Sequence, residues 1–311
     1  MREHKLVSII GGNGFVGKYI VNNLLSKGYY VKVISRTASI SNKDFTIHKP
    51  GQYKLVNCDI KNFRKLESEL EGTNYVINLV GLLVNKKKNS FIDVHKLAVK
   101  NVVSICNKLK IKKLIHFSAI GADKNSKSEY SKTKFYGEEE VKRSNNYCIL
   151  RPSIIYGDED NFINFFAKTS KVSPILPLIG GGDNLFQPIW VQDVANITLK
   201  ILEKNISGKI LEIGGEEVFS FKKILEIILE ELELKRKLVK VPFGISKKLA
   251  YFLEIMPNPL LTVDQVEMLK KNNVISKKYY YRKDLNYLPM PFRKMIKKQL
   301  SFMKKNGGHL N

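Results

Sequence analysis

Two groups of residues have the types and spacing to do chemistry. The first is Gly11-Gly12-Asn13-Gly14-Phe15-Val16-Gly17, in which Gly12, Gly14 and Gly17 match G-x-G-x-x-G. In that pattern Gly12 allows a tight turn, Gly14 lets the backbone approach a pyrophosphate, and Gly17 lets a helix pack on a strand. The helix that starts there offers free N–H groups and a partial positive charge to phosphates. The second group is Ser118 with Tyr130-x-x-x-Lys134. Four apart on a helix, Tyr130 and Lys134 share one face. A nearby ammonium favours a phenolate. Tyr130 could then exchange a proton with a substrate carbonyl or hydroxyl while hydride moves to or from a nicotinamide. Ser118 could hydrogen-bond the same oxygen.

These residues need particular elements around them. Lys5–Ile10 is a short apolar run ended by glycines and reads as a buried strand. Phe15–Ser26 has helical apolar spacing, closed by Lys27-Gly28. Tyr29–Ser35, Tyr53–Asn57 and Tyr75–Val80 read as further strands. A helix over roughly Asn89–Leu109 leads to the strand Lys113–Ser118, and a helix over Ser128–Ser144 leads to the strand Tyr147–Arg151. Strands alternating with helices predict an α/β fold, a Rossmann-type doubly wound parallel sheet. A length of 311 residues suits two units of ~150 or, nearly as readily, one extended α/β domain. Residues 1–155 read as the dinucleotide-binding core. Residues 156–311 read as a smaller C-terminal α/β region on the substrate side, with 184–214 returning to the core and a basic tail.

The end of the second strand bears on cofactor choice. An NAD site usually places an Asp or Glu there for the ribose 2′-hydroxyl, whereas an Arg accommodates a 2′-phosphate. Here the residues are Ser35-Arg36-Thr37, and no acidic residue lies between Tyr29 and Lys43. NADP(H) is therefore expected over NAD(H), with Arg36 and Ser35 as contacts.

Taken together, these residues resemble the short-chain dehydrogenase/reductase superfamily in its extended and atypical branches, which are NAD-dependent epimerase/dehydratase-like. Further segments carry the resemblance: Asp59-Ile60 after the third strand, Asn78-Leu79-Val80-Gly81 after the fourth, Asn101-Val102-Val103, Arg151-Pro152-Ser153-Ile154-Ile155-Tyr156-Gly157, and Gln187-Pro188 through Ala195. The resemblance implies that Asp59 and Ile60 meet the adenine and that Leu79, Val80 and Gly81 lie beside the cofactor. It implies that Pro152, Ser153 and Ile154 complete its site. The cadence of Ser118-Ala119-Ile120-Gly121-Ala122-Asp123, Gly157 through Ala167, Pro174 through Gly182 and Pro257 through Val266 is similar to the NADPH-binding accessory subunits of respiratory complex I and their bacterial relatives. Members hold NADPH tightly as a structural or regulatory element. They sit on the mitochondrial matrix side or the bacterial cytoplasmic side, near where the peripheral arm meets the membrane. That implies respiratory-complex subunits as partners. Because Ser118, Tyr130 and Lys134 are all present, catalysis stays open beside a role for Tyr130 and Lys134 in holding the nicotinamide ribose.

Composition excludes other classes. Charged residues are 26% and apolar types 43%, ordinary for a globular chain. The longest near-apolar stretch, Tyr75–Val84, is far short of the ~20 residues that a spanning helix needs. Cys58, Cys106 and Cys148 are far apart and read as reduced, buried thiols. His4, His48, His95, His116 and His309 show no metal-ligand spacing, so no metal is expected. Glu138-Glu139-Glu140 reads as a solvated helix face.

The formal charge is +24, from 53 Lys plus Arg against 29 Asp plus Glu. Most are Lys spread along the chain, consistent either with compositional bias or with anionic partners. Past Val191, helices are expected to about Glu203, over Phe221–Leu232, Ile245–Leu253 and Thr262–Lys270, with strands at Lys209–Ile213 and Lys237–Val241. The apolar Ile175–Ile179 segment with its following glycines reads either as lining for a ligand cleft or as a hydrophobic loop. Lys277–Lys305 mixes cations with Tyr279, Tyr280, Tyr281, Phe292, Met295, Ile296, Leu300, Phe302 and Met303. That mixture suits an anionic membrane surface or a partner subunit, or else a core-packed helix with a solvated tail. Nucleic acid is not expected, since no recognised motif accompanies it.

Overall fold

Runs rich in Val and Ile between glycine turns become strands, and runs with a 3.6-residue apolar period become helices, in the computed structural model, which describes residues 5–38, 45, 49–85, 90–256 and 259–303. In chain order the elements are β1 (Leu6–Ile10), α1 (Phe15–Ser26), β2 (Tyr30–Ser35), β3 (Tyr53–Asn57), α2 (Phe63–Leu70), β4 (Tyr75–Asn78), α3 (Ala98–Lys108), β5 (Lys113–Phe117), α4 (Glu129–Val141) and β6 (Tyr147–Pro152). Next come β7 (Ile155–Tyr156), α5 (Ile163–Val172), β8 (Ile175–Ile179), β9 (Leu185–Phe186), β10 (Ile189–Trp190), α6 (Val191–Glu203) and β11 (Lys209–Ile213). The last are β12 (Phe219–Ser220), α7 (Phe221–Glu231), β13 (Lys237–Val241), α8 (Phe243–Leu253), α9 (Val263–Met268), α10 (Arg282–Leu285) and α11 (Phe292–Leu300).

The chain divides into two units. The first contains the residues up to Pro152, Gln192–Glu212 and Lys278–Tyr287. Its sheet runs β3-β2-β1-β4-β5-β6-β11. The pairings from β3 through β6 are parallel, with β1 paired to β2 by Val7↔Val31 and to β4 by Val7↔Tyr75. Val7, Ile9, Val33, Ile77, Ile115 and Ile149 are fully buried, as expected where helices cover both sheet faces. Strand order reverses between β1 and β4. A doubly wound sheet opens a ligand crevice beyond the carboxyl ends of its strands at such a point.

Two local differences from the sequence expectation have clear causes. The stretch expected as one helix over Asn89–Leu109 is a π-helical turn, Asp93–Leu97, running into α3; Asn89 lies outside the described residues. The turn brings the His95 carbonyl against α4 at Gly137, where a Cβ would sit 2.1 Å from the oxygen. Helix α2, absent from the sequence reading, starts where the Asn62 side chain accepts from Lys65 N at 3.2 Å and buries Leu66 and Leu70.

The second unit contains Ser153–Val191, Ile213–Lys277 and the residues from Leu288. It has three two-stranded pieces, β7–β10 and β8–β13 parallel and β9–β12 antiparallel. Ile175–Ile179 is a strand and not a loop; it pairs along its length with β13. Its core is aromatic. Phe162, Phe166 and Phe186 gather around Phe221 with ring centroids 5.3 to 6.2 Å away. Tyr156 packs on Trp190 at 5.3 Å and on Phe292 at 5.0 Å. Phe292, Met295, Ile296 and Leu300 of α11 are buried, as is Tyr281 in the first unit. Those members of the Lys277–Lys305 set are therefore interior side chains, while Tyr280 and Phe302 are exposed. Lys304 and Lys305 lie outside the described residues, as do Pro257 and Asn258.

Candidate functional site

The carboxyl ends of β1 to β4 surround a cleft of about 350 Å³. After β1 its wall is Gly11, Asn13 and Gly14; after β2 it is Ser35, Arg36 and Thr37. Asp59, Ile60 and Lys61 follow β3, and Leu79, Val80, Gly81 and Leu82 follow β4. Four strands thus deliver their following turns to one crevice, which is where the sheet order places a ligand.

The glycine turn is built slightly differently from the expected division of labour. The left-handed residue is Gly11, at φ +84°, not Gly12. Its N–H donates to Ile34 O at 2.7 Å, tying the turn to β2. Gly12 instead fits between Ile9 and Val33, where a Cβ would lie 3.1 Å from each side chain. A Cβ on Gly17 would lie 2.5–2.6 Å from the Gly12 backbone, so Gly17 lets α1 sit directly on the turn. Gly14 caps α1 with no side-chain hydrogen bond, and the first turn, from Phe15 and Val16, has no acidic residue. The donors at that helix end remain for an anion.

The rim of the cleft after β2 is cationic and hydroxylic. Arg36 is exposed and makes no ion pair among the described residues. Ser35 Oγ accepts from Thr37 N at 3.2 Å, and Asn13 Nδ2 donates to Thr37 Oγ1 at 3.5 Å. Asp59 is the sole carboxylate among the described lining residues, and its Oδ1 accepts from Lys61 N at 2.9 Å. Thr37 and Lys61 are cleft residues that the sequence reading did not single out; their signal was adjacency to Arg36 and Asp59.

Lys134 stands behind the β4 turn. A Cβ on Gly81 would be 3.1 Å from Lys134 Nζ and 3.7 Å from His95 Nε2. Lys134 Nζ donates to Phe117 O at 3.0 Å. Burial pushes this ammonium down from its ordinary 10.5 to about 8, with Glu138 acting the other way. Tyr130, one turn earlier, is buried, edge-on to His95 with centroids 5.4 Å apart and to Phe91 at 5.9 Å.

His95, which sequence spacing marked only as a non-ligand, is a positioning residue. Leu82 N donates to its Nε2 at 2.9 Å, so the ring proton is on Nδ1, which reaches Thr133 Oγ1 at 3.0 Å. The Thr133 hydroxyl donates onward to Glu129 O at 2.8 Å. Burial, then Lys134 and His116, push the His95 imidazole down to about 2, keeping it neutral. His116 is likewise neutral, pushed to about 3 by burial and Lys134, and accepts from Asn78 Nδ2 at 3.2 Å. Among the described residues no group of three or more His, Cys, Asp or Glu is arranged to hold a metal ion. His4, His48 and His309 lie outside them.

Ser118 points its proton elsewhere. Its Oγ donates to Glu138 Oε1 at 2.5 Å. Arg151 grips the same carboxylate through Nε to Oε1 at 2.8 Å and Nη2 to Oε2 at 2.6 Å, and extends Nη1 to Glu212 Oε1 at 3.3 Å. The Tyr279 ring lies 5.0 Å from the guanidinium carbon. Glu138 is fully buried and Glu140 nearly so, which corrects the expectation of a solvated Glu138–Glu140 face: only Glu139 is on the solvated side. For Glu138 the cause is Arg151, whose charge inside the sheet requires a buried counter-ion, while Glu140 pairs with Arg143 at 2.7 Å.

Pro152 closes β6 in the first unit. Ser153 and Ile154 belong to the second, where Asn273 Oδ1 accepts from Ser153 Oγ at 2.6 Å and from Ile154 N at 3.1 Å.

Comparison with known proteins agrees with this architecture. The chain is 29% identical to NADH dehydrogenase (ubiquinone) 1 alpha subcomplex subunit 9, mitochondrial, of Dictyostelium discoideum, over 94% of this chain and 83% of that one. The Arabidopsis thaliana protein of the same name is 30% identical over 91% of this chain and 74% of its own. Among solved structures, dTDP-glucose 4,6-dehydratase from Bacillus anthracis in complex with NAD superposes with a TM-score of 0.75 at 17% identity, covering 97% of both chains. That likeness shows the fold. Residues 7–214 match the model of the NAD dependent epimerase/dehydratase family, and the chain belongs to that dinucleotide-binding family.

Proposed function

We propose that this protein holds NADP(H) tightly as a structural or regulatory element, and docks as an accessory or assembly subunit on the membrane-proximal side of a respiratory complex. On this reading it sits on the matrix side in mitochondria or the cytoplasmic side in bacteria. The observation that carries it is the contrast between the crevice and the interior beside β5 and β6. The glycine turn and the Ser35–Thr37 rim keep donors available for phosphates, while the Ser118 hydroxyl donates into the buried Glu138–Arg151 pair. The names of the relatives support the partner class. No helix among the described residues is long and apolar enough to cross a membrane.

The residues fit a dinucleotide. Gly11–Gly17 and the start of α1 would take the pyrophosphate. Arg36, Ser35 and Thr37 would take the 2′-phosphate, Asp59 and Ile60 the adenosine, and Leu79–Gly81 the nicotinamide end. Tyr130 and Lys134 would hold the adjoining ribose. A bound dinucleotide of this kind supplies hydride chemistry at its nicotinamide.

A second reading, an NADP(H)-dependent oxidoreductase or epimerase acting on a carbonyl, nucleotide-sugar or quinone-related substrate through Ser118, Tyr130 and Lys134, rests on one observation. Lys134 Nζ lies 5.9 Å from the centroid of the Tyr130 ring, and burial pushes its ammonium down to about 8, so its charge can tune that phenol. One experiment separates the two. Protein purified without added cofactor is denatured, and the released nucleotide is identified before and after incubation with candidate carbonyl substrates. Near-stoichiometric NADPH that is never oxidised supports the first reading. An empty site, NAD(H), or ready conversion to NADP+ overturns it.

A further inference from the structure

Helix α8 has its apolar side turned outward. Its buried positions are Ser246 and Ala250, 1% and 0% exposed, whereas Ile245, Leu249 and Phe252 are 59%, 52% and 67% exposed. With Met256 just past the helix, these residues recur at intervals of four, three and four, which is one stripe along a helix. Ile255 beside it is 80% exposed, and Tyr251 is exposed as well. A solvated surface helix shows the reverse order, with large apolar side chains inward. Contiguous exposed apolar side chains of this extent mark an interaction surface.

Charge selects what covers it. From Lys235 to Lys278 the chain carries ten Lys and Arg against three carboxylates. Glu254 Oε1 accepts from Val263 N at 2.7 Å, and Glu267 is shared by Lys247 at 3.2 Å and Lys270 at 2.9 Å. Lys248 is exposed one position from Leu249. An aliphatic and aromatic stripe bordered by excess lysine is the pattern of a helix lying in a lipid interface: apolar side chains enter the acyl boundary, ammonium groups meet headgroup phosphates, and a Tyr sits at headgroup level.

We propose that α8, with Ile255 and Met256, is an interfacial element that docks this protein on an anionic membrane surface, Ile245, Leu249, Phe252 and Met256 being the inserted side chains. The surface meant to touch lipid is thus α8 and not α11, whose apolar residues are interior. The inference rests on the membrane-proximal reading above for its place in the cell, and its test is independent of nucleotide content.

The test is flotation of the full chain with phosphatidylcholine vesicles and with equimolar phosphatidylcholine–phosphatidylglycerol vesicles at low salt. The expected result is binding to the mixed vesicles, weaker binding to phosphatidylcholine alone, and release as salt rises. L249S/F252S lowers binding to the mixed vesicles at least ~tenfold, and K248E lowers it by about tenfold. Because these side chains are exposed, both variants keep the parent melting temperature and co-purifying nucleotide. Flotation of L249S/F252S like the parent overturns the proposal, as does failure of the parent to bind mixed vesicles. Should that failure accompany loss of a co-purifying protein from L249S/F252S, the stripe is a protein-docking face and the lipid assignment falls. The released-nucleotide assay reports separately on the proposed function, so either can fail alone.

Discussion

The crevice beyond β1 to β4 and the interior around β5, α4, β6 and β11 belong to one sheet, and they handle polar groups in opposite ways. In the crevice the polar capacity is mostly backbone and is unclaimed by side chains: the start of α1 lacks a side-chain cap, and Arg36 is exposed. Around β6 the polar capacity is mostly side chain and is satisfied internally: Ser118, Glu138, Arg151 and Glu212 bind one another with little exposure. The first arrangement leaves donors that an anionic ligand can take. The second is complete as it stands. Four substitutions or titrations test that difference.

Arg151→Met is the largest expected effect. It leaves Glu138 and Glu212 buried beside each other with no cation, and removing one member of such a group costs about 3–5 kcal/mol. Urea unfolding measures it. A loss under about 1 kcal/mol would mean that the group is solvated and the contrast is false.

Lys134 gives a pH signature of similar origin. Its folded value of about 8 lies below its ordinary 10.5. Below about pH 8 both folded and unfolded chains hold the proton, and no slope arises. Between about pH 8 and 10.5 the unfolded chain binds more protons at this site, so stability rises with pH across that window, by at most ~3 kcal/mol. Cys106 and Cys148, pushed up by burial to about 12, tilt the profile the other way above pH 9. The difference between wild type and Lys134→Met isolates the lysine. Parallel profiles would show that Lys134 is hydrated in the folded state.

Arg36→Ala probes the open end. A guanidinium that binds a 2′-phosphate contributes about 1.5–3 kcal/mol, so fluorescence titration should show NADPH binding weakened at least ~tenfold and NADH binding little changed. Equal losses for both would assign Arg36 to general phosphate attraction.

The same contrast explains what could be read in the sequence. The glycine turn, the strand–helix alternation and the Ser35–Thr37 rim are local, so residue type and short spacing reveal them. Even there the left-handed position, Gly11, was displaced by one from the motif's first glycine, because the tie to Ile34 comes from a neighbouring strand. Glu138 looked like part of a solvated triplet because its partners, Ser118 and Arg151, are 20 and 13 positions away and meet it only through the sheet. His95 needed the π-helical turn and the missing side chain of Gly137 to reach Leu82 N. The outward stripe of α8 has ordinary helical periodicity, which indicates a helix but not which side is buried.

Ser118→Ala is the smallest expected effect and the sharpest test of the comparison. The hydroxyl has one proton, and Glu138 holds it at 2.5 Å. Deleting the hydroxyl leaves Glu138 with both bonds from Arg151, so the carboxylate stays satisfied and the loss is one charge-assisted hydrogen bond of about 1–3 kcal/mol in gross terms, less what relaxation recovers. If Ser118 serves the interior, its removal lowers the melting temperature slightly and leaves the amount and redox state of bound nucleotide as they were. If it serves a substrate oxygen, any carbonyl-dependent NADPH oxidation by the wild type falls by orders of magnitude while the melting temperature barely moves. The two outcomes separate on different axes, stability in one case and turnover in the other, so a single variant decides whether this hydroxyl belongs with the closed interior or with the open crevice.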